Sequence, residues 1–301
     1  MSDPVDEAPP RSPTAAGSRF GAAPLADVPW GRWFARVLFA FARREARAVS
    51  GYRIAFLVRG IAFGLSVLAL VFLSRLVGAS TNPLLAAYGG DYLAFSVVGL
   101  VVLDLQQVGV MNLSQRIRTA QILGLLEAET ATPAPTWIIL GVGPVYEFGL
   151  SLIRAGAYFL LATVFFGVRF PHVSWMSLVV AGPLVLGAFG GLGLLSAAAT
   201  MLVRRNNPVA VLLASSSMLL SGVAYPLSVL PAPLRVMGRM LPLTHALELV
   251  RGALLRGSQP AQLWGSIVAL ALFAAVLVPA GVGLFVYALR RARIDGSLGH
   301  Y

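Results

Sequence analysis

Six long apolar runs constrain what this chain can fold into more than any other feature. They cover about residues 55–76, 92–112, 138–166, 176–202, 208–228 and 262–289. A transmembrane helix needs about 20 predominantly apolar residues, and a helix satisfies its own backbone polar groups in lipid. The sequence therefore predicts an all-α integral membrane protein with six transmembrane helices.

The composition excludes several other classes of protein. The chain of 301 residues is 57% hydrophobic and only 12% charged, whereas a soluble domain carries about 25% charged residues. This excludes a soluble enzyme, a disordered chain and a coiled coil. The sequence has no cysteine, which excludes disulfides and cysteine metal sites. We expect no catalytic residue, no metal site and no cofactor bound by this chain.

The basic residues, all of them arginine, predict the orientation of the chain. With 23 basic and 12 acidic residues the net charge is +11, which in a soluble protein would suggest nucleic acid. Here most arginines flank apolar runs. If both termini are cytoplasmic, that side carries 15 of the arginines outside the spans and the other side six, as the positive-inside rule requires. We expect a multi-pass protein of the bacterial plasma (inner) membrane, with both termini in the cytoplasm and no nucleic-acid partner.

The residues that flank the spans divide into three parts. Residues 1–29 are rich in proline and show no periodicity, which predicts a disordered tail. Residues 30–53 place aromatic side chains opposite arginines, which favours an amphipathic helix in the membrane interface; a cytoplasmic extension of the first span is the alternative. The six-span domain is expected over 54–290, and residues 291–301 are expected to form a cytoplasmic tail.

Four charged residues lie inside the apolar runs: Arg59, Asp104, Glu147 and Arg154. Charges at membrane depth are costly and normally face protein or water. Arg59 is near the inner end of the first span, where its side chain can reach the headgroups. Glu147 and Arg154 are seven residues apart and share a helix face. We expect Asp104 to pair with Arg154 or Arg59 and to hold the second and third spans together, a structural role that is favoured over substrate binding.

Small residues are concentrated in the fourth span. Glycine and alanine recur through 182–199, and small residues let the backbones of membrane helices approach closely. The sequence therefore predicts close helix packing along this span.

A polar loop at 113–136, between the second and third spans, has the features of a short rigid helix. Ile122 and Leu126 supply an apolar face, beside the polar side chains of Arg116, Arg118 and Glu127. Thr132 and Pro133 follow, and proline disfavours helix at its own position and at the residue before it.

A second segment, 226–261, is too interrupted by proline to span the membrane and too apolar to be a plain loop. Pro226, Pro231 and Pro242 divide it into short pieces. Residues 244–255 then predict an amphipathic helix, on which Glu248 and Arg251 are three residues apart.

Together with the six spans, these two segments resemble the permease subunits of ABC exporters of the second type, a family of drug, polysaccharide and lipid exporters. The family's first cytoplasmic loop often carries G-T-L-E-x-L-L-x-T-P, and the matching residues here are Gly124, Leu126, Glu127, Thr132 and Pro133. The chain departs from this run at Leu125 and at Glu129–Thr130. The family also tends to carry an S-G pair, spaced prolines and a later arginine, which here are Ser221, Gly222, Pro226, Pro231, Pro242 and Arg251.

The resemblance implies a permease subunit that moves an amphipathic, lipid-linked or glycan-type substrate outward. It implies a homodimer, or a heterodimer with a related permease, in membrane lipid, together with two copies of a separate ATP-binding subunit that holds ATP and Mg²⁺. Coupling to that subunit would involve Arg116, Arg118, Ile122 and the matched loop residues. The 226–261 segment, with Ser221, Gly222, Glu248 and Arg251, would form an outer gate of short re-entrant helices.

Other interpretations remain open from the residues alone. The loop helix could pack on its own bundle, and the helix at 244–255 could lie on the surface without a role in transport. A polytopic membrane enzyme acting on lipids, or a secondary transporter, are the alternative functions. The scattered positions of Asp104, Glu147 and His245 disfavour the enzyme, and no inverted repeat supports a secondary transporter. The sequence has no G-x-x-x-x-G-K-[ST] phosphate loop, so any ATP would be bound by another chain.

Overall fold

The computed structural model describes residues 39, 49–77, 90–122, 136–170, 172–203 and 208–294. Within these ranges the chain contains helices and no β-strand. The α-helices are α1 (Val49–Val77), α2 (Tyr92–Ile122), α3 (Thr136–Phe166), α4 (Trp175–Val203), α5 (Pro208–Leu220), α6 (Ala232–Arg239), α7 (Pro242–Leu255) and α8 (Trp264–Ile294). Two short 3-10 helices cover Leu227–Val229 and Pro260–Leu263. The tail at 1–29 and most of the helix predicted over 30–53 lie outside the described residues.

Five helices of the described part are long and apolar enough to cross a membrane. Their apolar stretches are Leu57–Arg75, Tyr92–Thr119, Val145–Phe166, Trp175–Val203 and Pro260–Arg291. They coincide with the first, second, third, fourth and sixth predicted spans, so the all-helical membrane fold is confirmed. Helix α5 lies at the fifth predicted span but has 13 residues, or about 20 Å of helix against a hydrocarbon core of about 30 Å. The count of six spans stays a prediction.

Several predicted boundaries differ from the structure. Helix α1 begins at Val49, within the helix predicted over 30–53, and α8 continues to Ile294, beyond the predicted end at 289. Helix α5 ends at Leu220 and not near 228, because Gly222 takes a φ of +77° in the turn that follows and only glycine adopts that conformation freely. Helix α2 continues to Ile122, beyond the predicted end at 112. Residues 113–122 of the predicted loop therefore prolong the second span and do not begin a separate helix.

Small residues of α4 allow close contacts with α2 and α8, as the sequence predicts. A side-chain carbon added at Gly193 would overlap the carbonyl oxygen of Gly109 on α2. One added at Gly191 would lie 2.7 Å from the Cβ atom of Leu277 on α8, which is closer than real Cβ atoms approach. Helix α4 is thus the central element of the bundle, and its glycines set the distance to both neighbours.

Helix α1 packs far less tightly than α4. Phe63 and Val67 are buried, and the Phe63 ring stacks on Tyr158 of α3 with the ring centroids 4.0 Å apart. Most other large apolar side chains of α1 are exposed, with Leu65 at 62% and Phe72 at 57%. In a protein whose solvent is lipid, such a surface faces the acyl chains or another subunit.

Candidate functional site: polar contacts along helix α2

An ion pair joins α2 to α3, as predicted from the charged residues inside the second and third spans. Arg154 Nε lies 3.1 Å from Asp104 Oδ2 and donates a hydrogen bond to it. The side chains are 12% and 31% exposed, and the buried Nη2 of Arg154 has no hydrogen-bond partner among the described residues. The expected pairing of Asp104 with an arginine is therefore present, and Arg154 is the partner.

A second polar contact follows along the same two helices. Asn112 Nδ2 donates to Glu147 Oε2 at 3.0 Å. Asn112 follows Asp104 by eight residues, whereas Glu147 precedes Arg154 by seven, so α2 and α3 run antiparallel and meet along one polar seam. Glu147 and Arg154 share a face of α3, as their spacing predicts; the part played by Asn112 was not predicted.

Arg59 of α1 is not part of these polar pairs between α2 and α3, but it lines the same cleft as two of their residues. It is exposed and lies two residues inside the apolar stretch that starts at Leu57. Together with Asp104 and Asn112 it lines a cleft between α1, α2 and α3.

At the amino-terminal end of α2, a buried arginine of α7 holds three backbone carbonyls. Arg251 is 3% exposed. Its Nη1 donates to Gly222 O at 2.8 Å, and its Nη2 donates to Val223 O at 2.7 Å. Its Nε and Nη2 donate to Phe95 O at 3.2 and 3.1 Å, and the guanidinium carbon lies 3.4 Å from the centre of the Phe95 ring. One side chain thus connects α2, α7 and the turn after α5.

A glycine of α2 makes this contact possible. A side-chain carbon at Gly99 would overlap the carbonyl oxygen of Val223 and would lie 2.8 Å from Arg251 Nη2. Glycine in a membrane helix is a general signal of close backbone approach, but neither Gly99 nor Phe95 was singled out from the sequence.

The prolines of the 226–261 segment occupy the positions where its short helices begin. Pro226 precedes the Leu227–Val229 turn, Pro231 precedes α6, and Pro242 is the first residue of α7. Proline is favoured there because the first helical residues have no intrahelical acceptor for their N–H groups. Ser221, just before Gly222, is buried, and its hydroxyl has no partner among the described residues.

Helix α7 is buried on most sides, so it is not the surface-lying helix that the sequence left open. Eleven of its 14 residues are buried. Glu248 is on the exposed side and accepts a hydrogen bond from Ser266 Oγ of α8 at 3.1 Å. Arg251, three residues later, points into the protein. Glu248 therefore contacts α8, whereas Arg251 contacts α2 and the turn after α5.

The loop residues predicted to meet an ATP-binding subunit lie at or beyond the carboxyl-terminal end of α2. Arg116 and Arg118 are half-buried in its last turns, and Ile122 is its final residue. Gly124, Leu126, Glu127, Thr132 and Pro133 lie outside the described residues. Across the described ranges, no three histidine, aspartate or glutamate side chains come together as a metal site.

Comparison with known proteins gives one finding on the family. Residues 36–255 match the family model described as ABC-2 type transporter, which is almost three quarters of the chain and includes every polar contact described above except the Ser266 hydroxyl. No curated protein matches the sequence.

Proposed function

This chain belongs to the ABC-2 type transporter family, and we propose that it is the permease subunit of an ATP-driven exporter in a bacterial inner membrane. Two such chains, or one with a related permease, would assemble with two copies of a separate ATP-binding subunit. The substrate would be an amphipathic, lipid-linked or glycan-type molecule that moves outward between the permease subunits. The family match over residues 36–255, which include α1 to α7, is the observation that carries this proposal.

The energy source is inferred from the chemistry of the chain. The sequence lacks a phosphate-binding loop, so ATP with Mg²⁺ would be held and hydrolysed by its partner. Arg116, Arg118 and the loop after Ile122 would contact that partner, with both chain termini on the same cytoplasmic side.

The contacts of α2 support a path from that loop to the opposite side of the membrane. The helix carries Arg118 near one end and Phe95 near the other. Between them it is joined to α3 by the Asp104–Arg154 pair and to α4 by the close approach of Gly109 and Gly193. A displacement of the loop would therefore act through one continuous helix on Arg251 and on the 226–261 segment, which we propose as the outer gate.

Co-purification tests the proposed partnership. Tagged chain isolated from native membranes should bring down an ATP-binding subunit, and the complex in proteoliposomes should hydrolyse ATP, whereas the chain alone should not. Arg118→Glu should weaken the complex because it reverses a charge at the proposed contact. Arg290→Glu, an exposed arginine of α8 predicted on the same side of the membrane, is the matched control.

Two results would contradict this proposal. One is ATP hydrolysis or lipid turnover by the purified chain alone. The other is a complex that is weakened equally by Arg118→Glu and Arg290→Glu, since a general loss of positive charge, and not the end of α2, would then explain the change.

A further inference from the structure

The cleft between α1, α2 and α3 has the volume of a small-molecule site. It measures about 430 Å³, within the range of about 300–1,000 Å³ that is typical of such sites. Its walls combine a guanidinium and amides, from Arg59, Gln107 and Gln115, with apolar side chains that include Phe63 and Leu100.

The cleft contains a cation, Arg59, that has no counter-ion within the part of the chain that the structure describes. Among the described residues Arg59 makes no ion pair or hydrogen bond, and a guanidinium stays protonated. The acid that shares the cleft, Asp104, is already paired with Arg154 at 3.1 Å. Glu147, at the end of the same seam, accepts from Asn112. Arg59 is exposed and lies two residues inside the apolar stretch. Its guanidinium can therefore reach the headgroup region, where an anion from outside the chain is favoured beside it.

The cleft extends along the membrane normal from a shallow end at Arg59 and Gln115 to a deeper end at Leu100. Consecutive spans cross in opposite directions, so the amino-terminal end of α1, with Arg59, and the carboxyl-terminal end of α2, with Gln115, face the same side. Leu100 is 15 residues before Gln115, about 22 Å deeper along the helix. The amides of Gln107 and Gln115 make no hydrogen bond inside the described part of the chain. The deepest α2 residues of the cleft, Leu100 and Leu103, are therefore apolar, and the acid next to them, Asp104, is already paired with Arg154.

We propose that this cleft binds a phospholipid of the surrounding membrane. The phosphate lies against Arg59, headgroup oxygens accept from the free amides of Gln107 and Gln115, and an acyl chain lies along Phe63 and Leu100. A soluble anion would leave the apolar depth of the cleft unfilled. The single uncompensated positive charge favours an anionic lipid over a zwitterionic one. This lipid is a resident ligand of the chain, independent of what the complex transports.

Native mass spectrometry of the full chain in detergent tests the site. The chain is titrated with dioleoylphosphatidylglycerol and, separately, with dioleoylphosphatidylcholine. We expect one tightly held phosphatidylglycerol per chain, and Arg59→Gln should weaken its binding about tenfold, the loss expected for one charge-assisted contact. Arg59→Lys should retain most of the binding. Arg75→Gln, near the other end of the same helix and also exposed, should bind as the unchanged chain does.

A second variant keeps the test decisive if Arg59→Gln fails to fold. Ala62 is exposed on the cleft wall, and Ala62→Phe fills the cleft without changing any charge, so it should also lose the lipid. Equal binding of phosphatidylglycerol by Arg59→Gln, Ala62→Phe and Arg75→Gln would overturn the proposal. Displacement of the lipid by an equal concentration of inorganic phosphate would overturn it too, because the acyl chain would then add nothing to the affinity.

Discussion

Replacing Arg251 by methionine should destabilise the protein strongly, because three backbone carbonyls share its guanidinium. An unsatisfied buried acceptor costs about 1–3 kcal/mol. The carbonyl of Phe95 lies inside α2, whose own hydrogen-bond ladder offers a second donor, so the main loss falls on Gly222 and Val223 in the turn. Removing a buried charge relieves some desolvation cost. We expect a net loss of about 3 kcal/mol.

Thermal unfolding in detergent measures this loss. A change of about 3 kcal/mol should lower the midpoint by roughly 5 °C for a chain of this size. The midpoint of Arg251→Lys should lie between those of Arg251→Met and the unchanged chain. The lysine ammonium keeps the charge but lacks the planar guanidinium that reaches several carbonyls at once. Arg239→Met is the matched control, since Arg239 is an exposed residue at the end of α6.

Limited trypsin digestion adds a local measurement. Loss of the Arg251 contacts should expose the 226–261 segment, so cleavage after Arg235 should be faster in Arg251→Met than in the unchanged chain. If Arg251→Met unfolds at the same midpoint as Arg239→Met and is cleaved no faster, the carbonyl contacts do not hold the segment and the reasoning is refuted.

Two further predictions concern the bundle itself. Asp104→Asn leaves the half-buried Arg154 without its carboxylate and should lower the free energy of unfolding in detergent by about 1–3 kcal/mol. The double variant Asp104→Arg with Arg154→Asp should restore part of this loss. If it restores none, the pair does not stabilise the contact between α2 and α3. Gly193→Val should cost about 1–3 kcal/mol by forcing α4 away from Gly109, whereas Gly182→Val, in the same helix with open space beside it, should cost clearly less; equal losses would attribute the effect to helix propensity.

Hydropathy predicts the membrane fold of this chain because the energy of placing about 20 apolar residues in lipid depends on composition and not on neighbours. The residues at which individual helices end are harder to predict from hydropathy. The end of α5 depends on the positive φ of Gly222, and the continuation of α2 to Ile122 depends on helical residues that are polar and therefore ended the apolar run.

Some of the polar contacts could be predicted from the sequence and others could not. The sequence predicted that Asp104 pairs with Arg154 or Arg59, because few charges lie inside the spans and each needs a partner; the structure identifies Arg154. Arg251 was predicted only to lie three residues after Glu248 on an amphipathic helix. Its partners are backbone carbonyls, and a sequence does not show which carbonyls will lie near a side chain. Gly99 was the available signal, since it permits the approach of Val223.

The length of α2 has a mechanical consequence. Its 31 residues make a rod of about 46 Å, which exceeds the hydrocarbon thickness of about 30 Å. A tilt of about 10° around its midpoint would displace each end by about 4 Å in opposite directions. That distance exceeds the length of the hydrogen bonds from Arg251 to the Phe95 carbonyl of α2. The far end of α2 could therefore not move that far without breaking those bonds or carrying α7 with it.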